Sequence, residues 1–242
     1  MAEISIKAEK LFEIWGFPVT NALVLAVISA LIILALAFLL KRQLRMIPGK
    51  FQGFFEFILD ELLSLMDSVL PSRQISEKYL PIIATIFIFI MLSNWLGLLP
   101  GVGAINFLSV HPAPLLRSPA SDLNFTIALG IISILSVNLL GIGAIGLTKH
   151  FSKFFTVKSP INSFVGILEF ISEFVKIISF SFRLFGNVFA GEVLLTIVGF
   201  LVPYFLPLPF LALELFVGFI QAFIFSMLTL VFIAMAVQEP AH

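Results

Sequence analysis

Runs without a charged residue dominate the chain: Asn21 to Leu40, Tyr79 to Asn106, Leu123 to Thr148, Val193 to Leu213 and Leu215 to Gln238. Each is long enough for the roughly 20 residues that a membrane-spanning helix needs. Transmembrane β-strands would read as alternating segments of about ten residues, and that pattern is absent from the sequence. The expected fold is an all-α integral membrane protein with about five membrane-embedded helices.

One further helix is expected to lie on the membrane rather than in it. Between Phe51 and Leu70 the apolar residues Phe51, Phe54, Phe55, Ile58, Leu59, Leu62, Met66 and Val69 recur at helical spacing, while Glu56, Asp60, Ser64 and Asp67 line the opposite side. Lipid-binding interfacial helices usually carry Lys and Arg on their polar face. An acidic face suits a protein partner or simple solvation instead.

The fourth apolar stretch opens at Ser159-Pro160, an N-cap followed by proline at the first helical position. It then runs without a breaker to the cluster Pro203, Pro207 and Pro209. A helix of ~40 residues is roughly 60 Å long, about twice the hydrocarbon thickness, so it must tilt strongly or bend. With the last helix it should form a long tilted hairpin, turning near Val202 or Pro203. The chain divides accordingly into 1–19, an outer N-terminal segment; 20–78, first span, loop and interfacial helix; 79–158, second and third spans; and 159–242, the hairpin.

Composition agrees with a membrane protein: 60% hydrophobic and 12% charged residues, against about 25% charged in soluble domains. Mean hydropathy is +1.14. Glu3, Lys7, Glu9, Lys10 and Glu13 give the N-terminus mixed charge, unlike the basic start of a secretory signal. With no cysteine there is no thiol chemistry, and a net charge of zero gives no reason to expect nucleic acid as a partner. Lys41, Arg42, Arg45, Lys50, Arg73, Lys78, Lys149, Lys153 and Lys158 fall on one side of the spans, and Lys7, Lys10 and Arg117 on the other. The positive-inside rule then places the N-terminus outside and the tail 238–242 in the cytoplasm.

Six charged residues interrupt the last two apolar segments: Glu169, Glu173, Lys176, Arg183, Glu192 and Glu214. A charge at the bilayer centre costs about 3 kcal/mol even on lenient scales, so each is a candidate functional residue expected to face a bundle interior or a watery cavity. Lys176 is also near enough to the cytoplasmic end to snorkel as an anchor. Glu169, Lys176 and Arg183 are seven apart and share a face close to Glu173 and Ser179, whereas Glu192 points half a turn away from Arg183. In an antiparallel hairpin Arg183 falls at the depth of Gln221, and Glu192 at the depth of Glu214. Straight helices cannot satisfy both pairings at once, so a crossing or bulge is required. Asp122 and His111, in a proline-rich loop, read as surface residues.

The segment Phe182-Arg-Leu-Phe-Gly-Asn-Val-Phe-Ala-Gly-Glu192, with Gln221-Ala-Phe-Ile-Phe-Ser-Met-Leu-Thr229, closely resembles the signature of subunit a of rotary ATP synthases, bacterial-type members above all. Pro48-Gly-Lys-Phe-Gln52, Ser93-Asn-Trp-Leu-Gly-Leu-Leu-Pro100 and Pro119-Ala-Ser-Asp-Leu-Asn124 are similar too. The resemblance implies a non-catalytic stator subunit of a proton-transporting ATP synthase in the bacterial inner membrane. It implies two offset half-channels, with Arg183 as the essential stator charge separating them and Gln221 as its polar neighbour. Glu192 and Glu214 match positions of the outer half-channel, Asn187 a polar position on the arginine helix, and Glu169 and Lys176 the cytoplasmic half-channel. The implied partners are a rotor ring of subunit c, the peripheral-stalk subunit b, the catalytic head through that stalk, and membrane lipid; no cofactor is implied. Two positions depart from the usual pattern. One of the two outer carboxylates is often His in this family, and many relatives have Asp where Gly97 stands.

A self-contained ion-coupled transporter is the main rival from residues alone, but such folds usually show an internal repeat and helices broken at the midplane. A plain membrane anchor would not need paired intramembrane charges.

Overall fold

A computed structural model of the chain describes residues 8–99, 116–152, 160–202 and 205–237. It begins with an antiparallel hairpin, β1 (Lys10–Ile14) and β2 (Phe17–Thr20), that turns through Trp15 and Gly16, both at positive φ. Such a mirror-image turn suits the twist of two strands; glycine adopts it freely, and Trp15 does so at a cost of about 1–2 kcal/mol. The hairpin is joined to the first helix by the Asn21 N–H, which donates to Glu9 O at 3.1 Å.

Among the described residues seven α-helices follow: α1 (Asn21–Gln43), α2 (Lys50–Asp67), α3 (Arg73–Gly97), α4 (Leu123–Ile145), α5 (Leu147–Ser152), α6 (Pro160–Leu201) and α7 (Pro207–Val237). A 3-10 turn, Pro119–Ser121, immediately precedes α4. Five of the helices, α1, α3, α4, α6 and α7, are long and apolar enough to cross a membrane, in agreement with the sequence. The second span begins at Arg73 rather than Tyr79; Arg73 reaches Glu77 one turn on at 3.5 Å and bonds Asp67 at the end of α2 at 2.7 Å, so the charge at the helix start is paired. The expected N-cap Ser159, the expected turn residue Pro203, His111 and the tail 238–242 lie outside the described residues.

Helices α3, α4, α6 and α7 form the bundle; α1 rests on α3, and α2 lies against α3 as well. One cluster joins Leu62 and Met66 of α2 to Tyr79, Ile83, Val137, Leu230 and Ile233. A second gathers Phe87, Ile90, Phe180, Leu184, Ala222 and Phe225. In lipid, apolar surface gives helices little reason to associate, and hydrogen bonds between them add specificity. Here the Ser133 and Thr229 hydroxyls meet at 2.8 Å, Ser181 donates to Thr126 O at 3.1 Å, and Trp95 donates to Leu215 O at 3.0 Å. Close approach of α4 to α6 depends on Gly130, where an added Cβ would stand 2.8 Å from the Ser181 hydroxyl and 3.2 Å from Ile177 O.

Helix α2 is amphipathic as expected, and its buried apolar residues Leu62, Leu63 and Met66 all lie in its second half. Phe51, Phe54 and Phe57 are exposed, while Gln52 of the first half is buried by the loop after α1, accepting from Arg45 N–H and donating to Arg45 O at 3.1 Å each. At 42 residues, α6 is about 63 Å long. Together with α7 it makes the expected hairpin, with Leu201 and Pro207 as the flanking helix ends.

Candidate functional site

The middle of α6 carries Arg183 on a face that α3, α4 and α7 leave open. Its guanidinium is exposed, reaching the Ser179 hydroxyl only at 3.5 Å. Exposed Phe174, Ile178 and Phe182 flank it. Gln221 of α7, only 8% exposed, lines one shallow pocket with Arg183, Phe180, Leu184 and Phe225. Asn187, one turn further along α6, is exposed too. The structure thus brings Arg183 and Gln221 to a common level, and leaves the charge accessible from outside the bundle.

Nine residues toward the hairpin turn lies Glu192. The sequence pairs it in depth with Glu214, but the two carboxylates turn apart. The Glu214 carboxyl occupies the space where a Cβ on Gly191 would stand, and Glu214 is 8% exposed. Glu192 instead meets Arg117, whose Nε lies 3.1 Å from its Oε1 and whose Nη2 donates to Oε2 at 3.3 Å. The reason is angular: Gly191 and Glu192 differ by about 100° around the helix, so α7 meets the glycine and the loop before α4 meets the acid. No bulge is needed for Gln221 and Glu214 to address α6 together.

Arg117 was counted from the sequence only as an outer loop charge. It is 8% exposed, and the signal that could have found it, a cation before the Pro119-Ala-Ser-Asp turn, has no periodicity to reveal its direction. Asp122, expected at the surface, is buried because it caps α4, accepting from Asn124 N–H at 2.9 Å. Near this end three buried polar atoms, Ser93 Oγ, Asn94 Oδ1 and Ser118 Oγ, have no protein partner among the described residues. Buried polar groups of this kind ordinarily bind water.

The other arm of α6 has its own cluster. Lys176 donates to Glu173 at 2.6 Å and lies over the Phe232 ring at 4.8 Å. The second Glu173 oxygen accepts from Asn138 of α4 at 3.2 Å, and Asn138 Oδ1 lies 2.9 Å from Nε2 of buried His150 on α5. Lys176 is therefore held in the bundle by specific partners. Gly141 makes room for the imidazole, since a Cβ there would stand 3.0 Å from His150 Cε1. Glu169 is half-buried and makes no ion pair among the described residues. Sequence reasoning missed Asn138 and His150, whose partners come from other helices.

These features define a multi-pass α-helical membrane protein that gathers its intramembrane charges on and around one long helix. The chain matches the family model described as ATP synthase A chain over residues 23–234. It is 36% identical to ATP synthase subunit a of Mycobacterium bovis over 236 residues, covering 92% of this chain and 90% of that protein. With the protein of the same name from Campylobacter fetus subsp. fetus it shares 34% identity over 217 residues, 90% of each chain. The chain belongs to the ATP synthase subunit a family, a membrane-sector subunit.

Proposed function

We propose that the chain is the stationary proton-conducting partner of a rotor ring of subunit c, joined through the peripheral-stalk subunit b to the catalytic head, in a bacterial inner membrane with its N-terminus outside. It performs no catalysis itself. Protons reach ring carboxylates through an outer half-channel at Glu192 and Glu214, and leave through a cytoplasmic half-channel at Glu173, Lys176 and Glu169, with Asn138 and His150 extending the latter. One observation carries this reading. Arg183 stands exposed on the uncovered face of α6, flanked along the same helix by one carboxylate toward the hairpin turn, Glu192, and one toward the helix start, Glu173.

A guanidinium stays charged at any accessible pH. It favours the ionised form of a passing ring carboxylate and so promotes release of its proton. The same fixed charge blocks direct passage between the half-channels, so each proton must ride the ring. Gln221 and Asn187 offer neutral hydrogen-bonding groups at the crossing. At about 2.3 kcal/mol per charge per 100 mV, several crossings supply the work for one ATP.

The test is the whole complex in proteoliposomes carrying Arg183→Ala. ATP synthesis and ATP-driven pumping should vanish while passive proton leak rises; normal synthesis by the assembled variant would overturn the reading. Pumping with and without sodium at high pH would identify the ion.

A further inference from the structure

Arg117 sits in surroundings shaped to hold it. At the end of α3, a Cβ on Gly97 would stand 2.6 Å from Ser118 Cβ and 2.9 Å from Ser118 Cα. The loop backbone therefore passes where any other residue would put a side chain. That passage seats Arg117 inward, where Nε donates to Ser121 Oγ at 3.0 Å, and Ser121 Oγ donates to Ser118 O at 2.9 Å. Arg117 then meets Glu192 through both Nε and Nη2.

We propose that Arg117 is a positioning residue of the outer proton path: admitted by Gly97 and braced by Ser121, it fixes the Glu192 carboxylate toward the loop and away from Glu214. This rests on the reading of Glu192 as an outer-path residue. Two carboxylates near one depth repel each other, and a permanent counter-charge lets both remain there. A two-point charge-assisted contact also fixes direction, which a single contact to a flexible ammonium would not. Glu192 keeps 37% exposure while Arg117 keeps 8%, so the arginine is the anchored member and the acid the accessible one. A side chain at Gly97 would act at a distance, by pushing Ser118 and withdrawing the arginine.

The test is a double-mutant cycle in the assembled complex, reading ATP synthesis driven by an imposed proton gradient. Interacting residues show coupling that independent sites lack. Arg117→Gln is expected to lower the rate about tenfold on its own, yet to change it less than about twofold in a Glu192→Gln background. Gly97→Ala should behave like Arg117→Gln in both backgrounds, and Arg117→Lys should recover part of the rate. An equal loss from Arg117→Gln in both backgrounds would show that the arginine acts on something other than Glu192, and a wild-type rate in Arg117→Gln would likewise overturn the proposal. Glu192→Gln alone tests the underlying reading: a wild-type rate there removes Glu192 from the path and sinks both. Should Arg117→Gln fail to assemble, Arg117→Lys keeps the cation and carries the same cycle: it should lower the rate on its own and change it less than about twofold in the Glu192→Gln background, and an equal loss in both backgrounds would refute the pairing.

Discussion

The Glu214 carboxyl fills the space that any side chain on Gly191 would require, so the acid of one helix and the glycine of the other behave as a single unit. Gly191→Ala should displace Glu214 and reduce proton-driven synthesis about tenfold, since a buried methyl is accommodated only by moving its neighbours. Shortening the acid in the double variant Gly191→Ala, Glu214→Asp should restore part of the rate. Synthesis assays on the three complexes check this; an undisturbed Gly191→Ala would show that Glu214 need not stand there.

Charge alone is not expected to suffice at Arg183. Arg183→Lys keeps a cation but lacks the planar fork, and a lysine's pKa shifts readily on burial, so synthesis should fall below about a tenth of the wild-type rate. The measurement is ATP synthesis in membranes shown to contain the complex. A near-normal rate would assign the function to charge alone.

Asn138 bridges Glu173 and His150 across three helices. Asn138→Leu keeps the branching of the side chain and removes both links, so on the proposed function proton release on the inner side should slow about tenfold, as loss of a buried polar connection costs about 1–3 kcal/mol. Rates measured against inner pH would check it, and an unchanged rate would exclude Asn138 from the path.

Gly130 tests packing rather than proton movement. Gly130→Val would drive a branched side chain into the Ser181 hydroxyl and the Ile177 carbonyl, separating α4 from α6 at a cost of about 1–3 kcal/mol. Thermal denaturation in detergent should show a lowered midpoint, and no change would mean that the two helices have slack.

What the sequence made legible followed from periodicity and cost. Charge-free runs located the five spans, and the expense of intramembrane charge singled out Arg183, Glu192 and Glu214. The helix dial also placed Arg183 level with Gln221, because both lie on long regular helices. It also put Glu192 near the depth of Glu214, but it could not find the partner of Glu192, because Arg117 comes from a loop without period. Asp122 was misplaced for the same reason: a capping side chain turns inward although its segment looks polar. Trp15 in the N-terminal turn gave no warning, since tryptophan rarely takes that conformation.

A helix of 42 residues confined to a bilayer leans about 45–60° from the normal. Moving along it therefore means moving sideways as well as through the membrane. On the proposed function, the outer and inner acids of α6 meet the ring at different points of its rim, and that offset has a handedness. On that reading, a ring loaded at one point and emptied at the other turns in a fixed sense for a given proton flow only while Arg183 closes the direct route between them. On the proposed function, the slope of this one helix fixes where around the rim protons board and leave, and so the sense in which the ring turns for a given direction of proton flow.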